Sequence, residues 1–158
     1  MQHAQPALSL AVQYAVAAPD LPRWRLRRWA MRALTAALAD GFEQAAHVSF
    51  SVRLVGRAEG RSLNRDFRGR DYATNVLTFE YGRDPDGVAH GDIVICLPVL
   101  KQEAREQKKT LLDHAAHLTI HGCLHALGYD HIEEEEAQRM EALETRILAD
   151  MGIADPYA

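Results

Sequence analysis

Apolar and polar residues alternate from Leu8 through Leu10, Val12 and Tyr14, a period of two that predicts an opening β-strand. From Pro22 the period lengthens. Trp24, Ala30, Leu34 and Leu38 can then form the apolar face of a helix running to about Ala39, with Pro22 at its first turn and Gly41 marking its end. Alternation returns at Val48, Phe50, Val52 and Leu54, and residues 58 to 68 read as a short helix carrying Leu63 and Phe67 four positions apart. Two further strands are predicted at 76–79 and 93–96. Between them Gly82-Arg83-Asp84-Pro85-Asp86-Gly87 consists of residues that favour turns, so a hairpin is expected. Pro98 opens a helix to about Lys109, and Leu111 to Leu127 forms another that is apolar on nearly every side except at its histidines. That second helix should be central. The acidic run Glu133 to Glu136 starts a last helix, where it complements the helix dipole, and Met140, Leu143 and Ile147 supply its inner face. The pattern predicts an α+β fold, a small mixed sheet of about four strands packed with helices. No repeat, low-complexity stretch or linker divides it, so residues 1–158 are read as one domain.

Composition supports that reading and narrows the setting. With 158 residues, 47% hydrophobic and 25% charged, the chain can bury a core and shows no sign of disorder. Two cysteines, Cys96 and Cys123, are too few for a disulfide scaffold, which points to a reducing cytoplasm. The apolar stretch 4–18 has no Lys or Arg before Arg23 and is interrupted by polar residues, so it does not read as a secretory signal. No window is apolar enough to cross a membrane. Charge is uneven: residues 20–70 hold eleven Arg against five acidic residues, a balance of +6, whereas residues 71–158 hold seven Lys or Arg against seventeen acidic residues, a balance of −10. Such a chain can bind a polyanion locally while carrying a net charge of −4.

The candidate chemistry lies in His121-Gly122-Cys123-Leu124-His125-Ala126-Leu127-Gly128-Tyr129-Asp130-His131. His121 and His125 stand one helical turn apart, so both imidazoles can reach one ion, and Gly128 can turn the chain back to bring in His131. Three protein ligands leave a fourth tetrahedral position open, the arrangement of a catalytic zinc site, although nickel and other divalent ions also suit imidazole. The spacing matches that of H-E-x-x-H-x-x-G-x-x-H proteases, yet Gly122 stands where their glutamate base would be. Peptide hydrolysis is therefore the weaker reading. Asp130 reads equally as a partner of a ligand or as a local turn cap. His117, one turn before His121, reads as a helix-packing residue or as a group that supports a ligand from behind, because a fourth protein ligand would close the open position. Cys123 is near enough to compete for the ion as a thiolate.

With these residues in view the chain resembles the YbeY family, bacterial rRNA maturation factors described as metal-dependent endoribonucleases. The family pattern H-G-x-L-H-L-x-G-Y-D-H falls on His121 to His131. Further matches run through Leu63-Asn64-Arg65-Asp66-Phe67-Arg68, Asp71, Thr74 to Phe79, Gly91 to Ile95, and Met140, Glu141 and Glu144. Three positions depart from the family: Ala126 where Leu is common, Asn75 where many have Asp, and Thr78 where Ser is usual. The resemblance implies a zinc-dependent, single-strand-specific endoribonuclease acting in rRNA maturation, at the 3′ end of 16S rRNA, and in ribosome quality control. It implies His121, His125 and His131 as metal ligands, His121 and Arg68 as catalytic residues, and Arg57, Arg61, Arg65, Arg68 and Arg70 as an RNA-binding set beside the metal. Arg68 would stabilise charge developing on the phosphate, its competing reading being an ion pair with Asp66 or Asp71. The implied partners are single-stranded rRNA and the small ribosomal subunit, with no DNA and no membrane. The other arginine group, Arg23, Arg25, Arg27, Arg28 and Arg32 around Trp24 and Trp29, reads as a solvated helix face that pairs with the acidic half. A ribosome-assembly factor whose metal only organises the fold remains the second alternative, beside the metallopeptidase.

Overall fold

A computed structural model describes residues 6–130 and 133–158. Their elements are β1 (Ala7–Tyr14), α1 (Arg23–Ala39), a short 3-10 turn (Glu43–Ala46), β2 (His47–Val55), α2 (Arg57–Arg68), β3 (Val76–Arg83), β4 (Ala89–Cys96), α3 (Leu97–Glu106), α4 (Leu111–Ala126) and α5 (Glu134–Asp150). The strands form one sheet in the order β1-β2-β4-β3, in which β1, β2 and β4 run parallel and β3 returns antiparallel to β4. This is the small mixed sheet of the α+β expectation. The alternation in β2 explains how it packs: Val48, Phe50, Val52 and Leu54 are all buried in the main core with Leu26 and Leu34 of α1, Leu124 of α4 and Ile147 of α5. Each such side chain contributes about 1.5–3 kcal/mol on burial. The other sheet face is covered only in part, where Val55, Leu77, Val94 and Cys96 meet Leu63 of α2 and Val99 of α3.

Several boundaries differ from the expected ones, each for a local reason. Helix α3 stops at Glu106 rather than near Lys109, because Lys108 takes a left-handed conformation with φ 57°. Thr110 then caps α4, its hydroxyl accepting a hydrogen bond from the Asp113 N–H at 3.1 Å. The β3–β4 hairpin is longer than its apolar residues suggested, since the Asp84 carboxylate accepts bonds from the N–H groups of Asp86 and Val88 and tightens the turn to 84–88. On α1 the inner face is Leu26, Trp29, Ala30, Ala33, Leu34 and Ala37, while Trp24 points outward and is 57% exposed.

Helix α4 is the centre of the molecule, packed against α1, α3, α5, β3 and β4. Two positions set how closely it lies on the sheet. A Cβ on Gly122 would come 2.9 Å from Cγ2 of Ile93, and one on Gly91 would come 2.9 Å from the Cβ of Ala126. Both separations are shorter than real contacts allow, so the helix and strand meet at glycine on each side. Ala126, which carries only a methyl group, fits the same close approach.

Helix propensity alone favours Ala over Gly by about 1 kcal/mol. We nevertheless expect Gly122→Ala to lower the unfolding free energy by about 1–2 kcal/mol, because Ile93 is fully buried and stiff at its branched Cβ. Urea denaturation that gave a higher midpoint for the variant would contradict this packing account.

Candidate functional site

The C-terminal end of α4 carries the site. Gly128, with φ 112°, ends the helix in a left-handed turn, and the Tyr129 N–H donates back to the Leu124 carbonyl at 3.1 Å. The turn also fixes a side chain, since His125 Nδ1 lies 2.9 Å from the Tyr129 carbonyl oxygen. A carbonyl can only accept, so Nδ1 carries the proton and Nε2 carries the lone pair. The turn is itself anchored: the Tyr129 hydroxyl donates to Asp40 at 2.7 Å, its ring stacks on Phe42, and Arg139 reaches the same carboxylate. Burial tends to raise the pKa of Asp40, but the bonds from Tyr129 and Arg139 outweigh it and hold the carboxyl below its ordinary range.

His121 is oriented from further away. Its Nδ1 lies 2.5 Å from Oε1 of Glu144, a fully buried carboxylate on α5, and Oε2 of Glu144 accepts the Tyr157 hydroxyl at 2.6 Å. The tyrosine hydroxyl is pushed to a higher pKa, first by burial and then by its hydrogen bond to Glu144 and that group's charge, so it stays a donor. With Glu144 ionised, Nδ1 of His121 is likewise the donor, which in the neutral imidazole leaves the lone pair on Nε2. Donation of the second ring nitrogen to a carboxylate or carbonyl is how metal-binding histidines are usually held. In this respect both described histidines fit an ion. No group of three His, Cys, Asp or Glu side chains gathers around one point among the described residues. His131, the third expected ligand, lies outside the described residues.

Neighbouring groups have other duties. His117 is largely buried beside Tyr157 and Glu144, and burial pushes its pKa down to about 4, so it is neutral at neutral pH. It does not line the groove that His121 and His125 face. His114 pairs with Glu103 at 2.9 Å. Cys123 is fully buried, and burial raises its thiol to about 12, which removes the thiolate that could have competed for an ion.

The groove has a volume of about 750 Å³ and runs between α2, β3 and the end of α4, lined by Asn64, Arg68, Arg70, Asn75, His121, His125 and Asp130 among others. Arg68 donates through Nη2 to the Thr78 carbonyl at 2.6 Å and lies over the Phe79 ring, and neither Asp66 nor Asp71 pairs with it. Those two carboxylates belong to Arg65 and Arg61. A carbonyl fixes the guanidinium without neutralising its charge. Arg70 donates to the Tyr72 hydroxyl. Of the five arginines expected to bind RNA, Arg68 and Arg70 line the groove, whereas Arg57 bonds Gln102, Arg61 bonds Asp71 and Arg65 bonds Asp66 away from it. Buried Asn64 donates to the Tyr72 carbonyl, and Asn75 donates to the Glu103 carboxylate while accepting from the Val76 N–H.

The family model described as Endoribonuclease YbeY matches residues 15–152. The chain belongs to the YbeY family. A relative named Endoribonuclease YbeY from Bordetella avium is 73% identical over 157 residues, covering 99% of this chain and 98% of its own. Relatives of the same name from Bordetella pertussis and Alkalilimnicola ehrlichii are 72% and 53% identical, covering 95% and 96% of this chain and 96% and 92% of theirs. A solution structure from Thermotoga maritima, 23% identical, shares the fold with a TM-score of 0.58 over 93% of this chain and 97% of that one. Two residues at the site had no readable role beforehand. Glu144 appeared only as part of a family pattern, and Tyr157 lies beyond the family match, so no local signal tied either to His121.

The Asn75 amide donates to Glu103, and a carboxylate there would face a like charge. Asn75→Asp is expected to destabilise the fold by about 1–3 kcal/mol, read as a lower urea midpoint at neutral pH that recovers in part under mild acid. Glu144→Gln is expected to weaken divalent-metal binding about 10–100-fold in a chelator competition, with Tyr157→Phe weaker by a smaller factor. Unchanged affinity in Glu144→Gln would break the link between this carboxylate and His121.

Proposed function

We propose that this protein is a zinc-dependent endoribonuclease that cuts single-stranded RNA during rRNA maturation, at the 3′ end of 16S rRNA, and in ribosome quality control. The observation that carries the reading is one groove faced by two imidazoles with their Nδ1 positions anchored and by an arginine that, among the described residues, is held by a carbonyl and paired with no carboxylate. His121, His125 and His131 would hold the ion, with nickel or another divalent metal as possible substitutes for zinc. Such an ion supplies a Lewis acid at a phosphoryl oxygen. The chain's own groups do the rest: Glu144 and the Tyr129 carbonyl keep the two imidazoles oriented, and Arg68 donates to the phosphate as negative charge builds on it. Arg70 lines the same groove and would hold a neighbouring phosphate. The protein acts in the cytoplasm on the small ribosomal subunit, with no DNA as substrate. No helix among the described residues is long and apolar enough to cross a membrane.

Peptide hydrolysis loses ground on a specific observation. Position 122, where a protease of matching ligand spacing carries its glutamate, faces Ile93 and Val76 of the sheet. A glutamate there would be driven into the core rather than toward the groove.

The test is cleavage of a labelled precursor of small-subunit rRNA by wild type, His121→Ala and Arg68→Ala, with bound metal measured in each. His121→Ala should lose metal and cleavage together, and zinc should restore chelator-treated wild type. Arg68→Ala should retain metal but cleave about 10²–10³-fold more slowly. Equal cleavage by wild type and His121→Ala would instead favour an assembly factor without turnover.

A further inference from the structure

We propose that the outer face of α1 is a second RNA-binding surface, separate from the groove, in which Arg25, Arg28 and Arg32 contact phosphates and Trp24 stacks on a base. This rests on the reading of the chain as an enzyme of single-stranded RNA. At 3.6 residues per turn, positions 24, 25, 28 and 32 fall within about 100° of arc on the side away from the core. Trp24 is 57% exposed there, with the Arg25 guanidinium 4.7 Å from its ring centroid. Arg28 and Arg32 are exposed as well.

The expected pairing of these arginines with the acidic half does not occur. Among the described residues none of Arg25, Arg28 and Arg32 forms an ion pair. Arg23 and Arg27, on the flank, are committed instead to the carbonyls of Leu10 and Leu8 at the edge of β1. The cluster's first members, Arg23 and Arg25, also stand in the first turn of the helix, where cations are least welcome. The first turn of α1 contains no acidic residue, so the cations meet the positive end of the helix dipole uncompensated. A polyanion laid along this face would relieve both the mutual repulsion and the dipole.

The chemistry favours RNA over a membrane. The apolar face of α1 is already spent on the core through Leu26, Trp29 and Leu34, leaving none to enter a bilayer. Planar guanidinium groups beside an exposed indole are what unpaired nucleotides offer ligands for: phosphates to the arginines, a base face to the ring. The surface is also separate from the groove: none of Trp24, Arg25, Arg28 and Arg32 lines it, and Arg23 and Arg27 tie α1 to β1, at the opposite edge of the sheet from the β3 that borders the groove. A strand engaged at both places would be held beyond the point of cleavage.

The experiment is fluorescence anisotropy of labelled single-stranded RNA against metal-loaded full-length protein over a salt series. The proteins are wild type, Arg25→Ala/Arg28→Ala/Arg32→Ala, Trp24→Ala and Trp24→Phe, with circular dichroism confirming their folds. Loss of three phosphate contacts should weaken binding about tenfold or more and reduce the slope of log K against log salt by about 2. Trp24→Ala should weaken it about fivefold or more, and Trp24→Phe much less, since a ring remains for stacking. If wild type binds RNA and the triple variant matches it in affinity and slope, the α1 surface is wrong and the groove reading stands. If wild type binds no RNA at all, both fall. If the triple variant loses only binding to anionic phosphatidylglycerol vesicles, the face is a membrane contact and the proposal is overturned.

Discussion

Helix α4 lies on β3 and β4 so closely that position 122 has no room for a side chain, and much of the molecule follows from that contact. The helix can sit there because glycine occupies 122 on its side and 91 on the strand side, with Ala126 adding the least possible bulk next to it. A helix turned a few tens of degrees to admit a side chain would move His121 and His125 away from the groove. The close approach therefore sets the direction of the imidazoles. It also accounts for the break with the protease pattern, since the residue that would be a base there is here a packing surface.

The second constraint is a buried carboxylate. Glu144 is fully inside, where an unpaired charge would be costly, and it is kept there by His121 on one oxygen and Tyr157 on the other. The arrangement ties three distant parts of the chain together: α4, α5 and the C-terminal segment. His117 beside it stays neutral because burial outweighs the pull of the Glu144 charge. One negative charge in this region is thus directed at a single imidazole.

The arginines divide by what answers their charge. Arg53 is bound by Glu59, Arg61 by Asp71 and Arg139 by Asp40, pairs that shape the surface. Exposed pairs of this kind contribute little to stability, about 0–1 kcal/mol each. Arg68 is fixed by a carbonyl, and Arg25 by the face of an indole, so both are oriented while their charge remains available to a phosphate. Net charge hides this division entirely.

Much of the architecture was legible in the sequence because it depends on local repeats. Period two located β1 and β2, a longer period located α1, α4 and α5, and a glycine after His125 marked the chain reversal that Gly128 indeed makes. The spacing of His121 and His125 put both on one helical face for the same reason. Boundaries fell elsewhere than the period placed them where single residues decided them, as Lys108 and Asp84 do. Tertiary structure alone decided the strand order, the outward turn of Trp24, the sheet-facing position of Gly122, and the carboxylate that orients His121. These depend on residues far apart in the chain, Glu144 being 23 positions from His121, and periodicity carries no information across such a distance. The sequence by itself determined which groups could act; long-range packing decided which of them face the same space.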